Sequence, residues 1–275
     1  MADEPETTTQ DPDHFFLGKV GDRMPDGGPR YQETPPDPTA VPIAEPFNAV
    51  TASFFILIVL VWAWRLWGRF ARYPFLTACM PILLAGGIGG TLYHAFRTQR
   101  AWFLMDVIPI SLLGIAGAVY LTVRLGRSLG APRVVGAAVG LIAAYVFVNG
   151  FLFRTMLGAE NPNLRVNLSY ASLALVLIVP LVVVLARTRF RHFGWVATAL
   201  VSFAVAWFCR LVDGTPWGDL PMGTHWLWHT FGAITTQAIT EYFYLLELER
   251  VDDRAPVERL CDTDEEEVTP GSTGQ

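Results

Sequence analysis

Hydrophobic and polar positions alternate in long blocks along this chain of 275 residues. Seven apolar segments, separated by short polar stretches, lie at roughly 47–64, 74–96, 101–123, 134–153, 166–186, 193–209 and 224–246. Each is close to the ~20 residues that a helix needs to cross the hydrocarbon core of a bilayer. Because backbone groups must be satisfied inside lipid and continuous apolar runs are typical of helices, the pattern predicts an all-α polytopic membrane protein, a bundle of seven transmembrane helices.

Charged residues are distributed unevenly along the chain. Of 25 acidic residues, ten lie in positions 1–46 and ten in 247–275, whereas the segment between carries 14 of the 20 basic residues. We therefore expect flexible acidic tails at 1–40 and 247–275 around a membrane domain at 41–246. The apolar middle excludes a soluble enzyme, the net charge of −5 gives no indication of a nucleic-acid partner, and the three cysteines form no CxxC pair.

The placement of arginines predicts the orientation of the bundle. Twelve lie near one end of the predicted helices and six near the other. Because cytoplasmic loops carry the excess of Lys and Arg, we expect the N-terminus outside and the C-terminus in the cytoplasm. No basic segment followed by an apolar stretch precedes the first helix, so we expect no cleavable signal peptide. Nothing in the pattern indicates an oligomeric state.

Polar side chains gather at the outer end of the predicted helices. They lie within about two helical turns, or roughly 10 Å, of the outer surface. Glu45 and Asn48 begin helix 1, His94 ends helix 2, Asp106 begins helix 3, Arg210 and Asp213 end helix 6, and His225 and His229 begin helix 7. The predicted orientation depends on arginines alone, so this convergence is an independent observation.

Three of these residues predict a metal site. The spacing of His225 and His229 puts both imidazoles on one helix face, as a metal requires, and His94 can supply a third nitrogen. Three protein ligands with an open fourth position are typical of catalytic zinc. The alternative is a set of interfacial histidines that reach toward water or bond to the backbone.

Asp106 is costly in an apolar helix, so a partner is expected. It could orient a zinc ligand, or hold and move a proton. Alternatively, it could form an ion pair with Arg97, Arg100 or Arg210, or simply favour the positive end of its helix.

The remaining polar residues have plain structural interpretations. Pro46 is pre-set for a helix start and Glu45 favours the positive helix end, although a carboxylate and an amide there can also bind a hard cation. Arg210 and Asp213 are expected to pair with each other. The only lysine, Lys19, lies in the N-terminal tail, which excludes a retinal protein with a Schiff-base lysine in the bundle.

Four motifs in this order resemble the alkaline ceramidase family. They are residues 44–51 (AEPFNAVT), 87–94 (GIGGTLYH), 105–110 (MDVIPI) and 223–229 (GTHWLWH). That family belongs to a superfamily of seven-helix membrane hydrolases that includes adiponectin-type receptors and haemolysin III proteins. The resemblance covers roughly residues 30–246, and the Glu-Pro-Phe-Asn string favours the bacterial ceramidase branch.

The resemblance implies a function and a set of roles. His94, His225 and His229 would be zinc ligands, Asp106 the catalytic carboxylate beside the zinc, and Asp213 another family aspartate. The implied reaction is hydrolysis of the amide of ceramide or a related N-acyl lipid to a sphingoid base and a fatty acid. The substrate would be a lipid of the bilayer, at a site facing outside a bacterial cytoplasmic membrane.

The resemblance also concerns a calcium site that eukaryotic members carry near the N-terminus. Glu33 and Glu45 look like remnants of it, and Asn48 lies beside them, which gives a possible weak calcium site. Arg30 and Pro35 stand where oxygen ligands are expected, which argues against calcium.

One position departs from the catalytic pattern. Gly90 stands four residues before His94, where the family has a serine, and the neighbouring Thr91 is turned by 100° on the helix. This departure favours an alternative function, a zinc-containing seven-helix receptor or lipid-sensing protein without efficient catalysis. A third interpretation, a transporter with a proton relay, lacks the expected repeat and broken-helix signals.

Overall fold

The computed structural model describes residues 24–126, 130–152, 155 and 162–266, and for residues 152, 162–165 and 251–266 the backbone alone. Seven helices run through this part of the chain, and no strand occurs in it. They are α1 (Pro46–Ala52 and Phe54–Arg65, interrupted at Ser53), α2 (Pro74–Phe96), α3 (Arg100–Gly126), α4 (Ala131–Phe147, followed by a π turn at Val148–Leu152), α5 (Pro162–Arg187), α6 (Phe193–Val212) and α7 (His225–Glu266).

The prediction of an all-helical fold is confirmed for the described residues, and that of seven apolar spans is confirmed in part. Six spans are long and apolar enough to cross a bilayer: Pro46–Arg65, Pro74–Phe96, Arg100–Gly126, Ala131–Phe151, Val166–Arg187 and Phe193–Val212. Helix α7 is not among them, because two histidines, Gln237, Glu241 and several threonines interrupt its apolar character. The assignment of the two ends to the outside and the cytoplasm stays a prediction.

The helices form an incomplete ring around a buried core. Helix α2 packs against α1 and α3, α5 packs against α3, and α7 closes the other side against α1 and α6. Helix α4 lies outside the ring on α3 and has no buried side chain. Helices α5 and α6 flank the interior without packing closely against each other. The ring is therefore packed least closely between these two helices, which meet at one end through Arg210 and Asn167.

The packed part of the chain begins before residue 41 and continues past residue 246. Residues 24–40, expected within the flexible tail, lie against the helix ends, where Asp26 and Thr34 are buried. At the opposite end, Glu247 is buried and accepts hydrogen bonds from the N–H groups of Phe75 and Leu76 (3.2 and 3.1 Å). The backbone of α7 stays helical to Glu266. Residues 1–23 and 267–275 of the expected tails lie outside the described residues.

Candidate metal centre

Three buried histidines meet at one end of the bundle. His94 lies on the last turn of α2, and His225 and His229 lie on the first two turns of α7. One potential ligand atom of each lies within 4.8 Å of the other two. The His94 and His229 Nε2 atoms are 3.0 Å apart. The structure therefore brings together the three residues that the sequence predicts as metal ligands.

Glu45 determines the orientation of His94. Its Oε2 lies 2.6 Å from the His94 Nδ1, and both side chains are buried. Burial alone would raise the pKa of Glu45, but the hydrogen bond with His94 and the positive charge of Arg97 outweigh it and lower this pKa to about 2. An ionised carboxylate requires the proton of neutral His94 on Nδ1, which leaves a lone pair on Nε2.

The start of α7 determines where the other two histidines lie. Asp213 accepts hydrogen bonds from the N–H groups of Thr224 (2.8 Å) and His225 (3.2 Å), which are unpaired donors at the start of the helix. Gly223 permits this arrangement with φ +67°, and a Cβ there would lie 2.2 Å from the Asp213 Oδ1. The first turn of α7, including His225, is thereby held against the end of α6.

The residues present fit a metal ion. Two nitrogens bound about 2.0–2.1 Å from a tetrahedral ion lie roughly 3.3–3.4 Å apart, close to the observed separation of His94 and His229. The His225 Nδ1 is buried and has no hydrogen-bond partner, an expensive state that a ligand bond would relieve. Three imidazoles suit zinc, and other transition metals also accept them.

Asp106 lies beside the histidines and opposite Gly90. Asp106 and His229 both line the same cavity, described below. A Cβ added at Gly90 would lie 2.6 Å from the Asp106 Oδ1 and 3.4 Å from the Ala52 Cβ. Position 90 therefore faces this carboxylate. Among the described residues, none of the ion pairs expected for Asp106 with Arg97, Arg100 or Arg210 is formed.

The expected pair of Arg210 with Asp213 is wrong. Arg210 donates its Nε to the Asn167 Oδ1 (3.1 Å) and lies over the rings of Tyr170 and Trp228. Asp213 instead accepts three backbone N–H groups, those at the start of α7 and that of Gln32 (3.1 Å). Backbone donors at a helix start compete successfully because they have no partner inside the helix.

The three residues considered for calcium have other partners in this structure. Glu33 accepts the N–H groups of Phe47 (2.6 Å) and Asn48 (3.0 Å) and so caps α1. Glu45 binds His94 and the Asn48 amide through one oxygen and Thr34 and Arg97 through the other. Of the side-chain oxygens of these three residues, the buried Asn48 Oδ1 is the one that lacks a hydrogen-bond partner.

Tyr31 is a site residue that sequence reasoning missed. Its ring stacks on His225 with centroids 3.7 Å apart and an angle of 17° between the planes, and covers the histidines from the side of the N-terminal segment. Burial raises the pKa of Tyr31, so its phenol is protonated at neutral pH. The polar composition of residues 1–40 concealed this contact, because composition reports solubility and does not report docking.

An apolar cavity of about 270 Å³ begins at this centre. Asp106 and His229 line one end, and Leu76 and Phe243 line the other. Phe243 follows His229 by 14 positions on α7, which corresponds to about 21 Å along the helix. The lining includes residues of both α5 and α6, the two helices that are packed least closely against each other. The cavity thus joins a polar, histidine-lined end to a long hydrocarbon-like interior.

Comparisons with known proteins add no further assignment. No protein-family model, no curated protein and no solved structure matches the chain.

Proposed function

We propose that this protein is a metal-dependent membrane hydrolase that cleaves the amide bond of an N-acyl lipid such as ceramide, with zinc as its metal. One observation carries the proposal. Asp106 and His229, which belongs to the cluster of three buried histidines, line the end of a long apolar cavity, so a lipid chain in the cavity would present its amide to these polar residues. A soluble substrate would not need such an interior.

The chain's own residues supply most of the chemistry. His94, His225 and His229 would hold the ion, and Glu45 would hold the Nδ1 side of His94 so that its Nε2 faces the metal. A bound metal ion of this kind polarises a carbonyl and makes water a nucleophile near neutral pH. Asp106 would accept the proton of the attacking water and return it to the amide nitrogen as the C–N bond breaks, which gives a free amine and a fatty acid.

The fold suggests a route for the lipid. Helices α5 and α6 both line the cavity and pack loosely against each other away from the Arg210–Asn167 contact, so an acyl chain could enter sideways from the bilayer there. The apolar lining would bind it at roughly 25 cal/mol for each Å² removed from water.

A lipid-sensing protein or receptor is the second candidate. Gly90 favours it, because this position faces Asp106 and has no hydroxyl to position water or an oxyanion. In that case the metal would be structural, and the lipid would occupy the cavity without being cleaved.

Two measurements on the purified full chain in detergent test the proposal. Metal analysis should give one zinc per chain, lost in His94→Asn and His229→Asn and retained in the control His192→Asn, since His192 contacts Glu249 at the other end of the bundle. A ceramide with a fluorescent acyl chain should release labelled fatty acid, stop after chelation and resume with added zinc. If the zinc-loaded protein binds the lipid but never cleaves it, the hydrolase function is contradicted and the lipid-sensing function is favoured.

A further inference from the structure

The side chain of Arg97 is buried directly beside the proposed metal centre. It ends α2, three residues after His94, and only 1% of its surface is exposed. Its backbone has φ +52° and ψ +30°, the left-handed conformation that residues other than glycine rarely adopt. Such a conformation persists only where its surroundings enforce it, and here it accompanies a guanidinium buried among the N-terminal residues.

Every nitrogen of this guanidinium has an oxygen partner. The Nε donates to the Asp26 Oδ2 (2.8 Å) and the Nη2 to the Pro29 carbonyl (2.7 Å). The Nη1 donates to Glu45 and to the Thr34 Oγ1 (3.3 Å). Two carboxylates, a carbonyl and a hydroxyl form the kind of oxygen cage that a hard cation takes. In this protein the cation at its centre is a side chain.

The same contacts connect the N-terminal segment to the histidines. Asp26, Pro29 and Thr34 belong to the segment that covers the site, and Thr34 also donates to the Glu45 Oε1 (2.5 Å). The other oxygen of Glu45 holds the His94 Nδ1. A continuous path of buried contacts thus runs from Asp26 through Arg97 and Glu45 to His94.

We propose that Arg97 is a positioning residue that takes the place of a bound calcium ion: it neutralises Asp26 and Glu45, docks residues 26–34 over the metal centre and keeps Glu45 on His94. The residues do not fit calcium in this arrangement. The ion needs six to eight oxygens, and the guanidinium occupies the space between the two carboxylates. Because Glu45 holds a proposed metal ligand, the effect on metal retention rests on the function proposed above, whereas the docking of residues 26–34 does not.

The decisive variant is Arg97→Ala, compared with a control, Arg100→Gln, at an exposed arginine that begins α3. Hydrogen exchange on the full chain in detergent should show residues 26–34 opening at least ten-fold more often in Arg97→Ala, and unchanged in the control. Zinc affinity should fall by about 10–100-fold, the usual loss when a partner of a ligand is disturbed. Neither readout depends on lipid cleavage, so an inactive enzyme would not affect the result.

Calcium itself gives the sharpest contrast. Calcium chloride and EGTA should leave the melting temperature and the exchange of the natural protein unchanged. In Arg97→Ala, two uncompensated carboxylates should bind calcium and recover part of the lost protection. Calcium-dependent protection of residues 26–34 in the natural protein would overturn the proposal, and so would unchanged exchange in Arg97→Ala.

A milder variant covers the case in which Arg97→Ala fails to fold. Asp26→Asn removes the charge that docks the segment and leaves the pair of Arg97 with Glu45 intact. It should raise the exchange of residues 26–34 and retain zinc. If this segment stays as protected as in the natural protein, Arg97 does not dock it and the proposal fails.

Discussion

At the residue scale, Gly90 has the most direct connection to rate. A serine here would place its Cβ 2.6 Å from the Asp106 Oδ1, so the end of this flexible side chain must shift and the new hydroxyl would lie beside it. One well-placed donor is typically worth about 10²–10³ in rate. We therefore expect Gly90→Ser to raise lipid hydrolysis with zinc content unchanged, as measured by product release.

Gly90→Ala is the matched control, because it adds the same Cβ without the hydroxyl. It should be no faster than the natural protein. Equal acceleration by alanine and serine would show that packing, and not the hydroxyl, controls the rate. No cleavage by either the natural protein or Gly90→Ser would favour the receptor or lipid-sensing function.

Asp106 provides a second residue-scale prediction. If it carries the proton from water to the leaving nitrogen, Asp106→Asn should lower turnover by roughly 10²–10⁴-fold. Zinc should remain bound, because the three histidines are retained. Asp219→Asn, at an exposed carboxylate, should behave as the natural protein. Zinc-loaded Asp106→Asn with full activity would remove this residue from the mechanism.

At the element scale, the contact between α2 and α3 depends on glycine. A Cβ at Gly89 would lie 2.5 Å from the carbonyl carbon of Met105 and 2.7 Å from its oxygen, and backbone cannot move aside as a side chain can. We expect Gly89→Ala to lower the free energy of unfolding by about 1–3 kcal/mol, as overpacking does, measured by thermal or denaturant unfolding in detergent. Gly136→Ala, whose Cβ meets nothing within 4 Å, should not be destabilised.

At the scale of the whole molecule, the bundle is held at both ends. Glu247 caps the start of α2 from α7, so Glu247→Ala should cost about 1–2 kcal/mol of stability, the usual loss of a helix cap. Removal of residues 255–275 leaves this cap and the contacts of Glu249 in place. The truncated chain should therefore keep the melting temperature of the full chain. A marked decrease would show that the last 21 residues support the fold.

The sequence predicts the long apolar helices and the end of the bundle at which the polar residues lie. Both follow from where residues stand along the chain. The length of an apolar run decides whether it can cross a bilayer, and a spacing of four residues decides that His225 and His229 share a helix face. His94 and Asp106 fall at the same level because each lies at one end of a span of known length. The histidine cluster follows from these one-dimensional features.

Which partner each polar group takes was decided only by the tertiary structure. Arg97 contacts Asp26 across 71 positions of the chain, and Asp213 contacts Gln32 across 181. Such pairs depend on a left-handed turn at the end of α2, on the docking of a polar segment and on the competition of backbone N–H groups for a carboxylate. None of these features produces a periodic pattern in the sequence. Hydropathy indicates whether a residue prefers lipid or water, and it does not indicate which neighbour forms its hydrogen bond or ion pair.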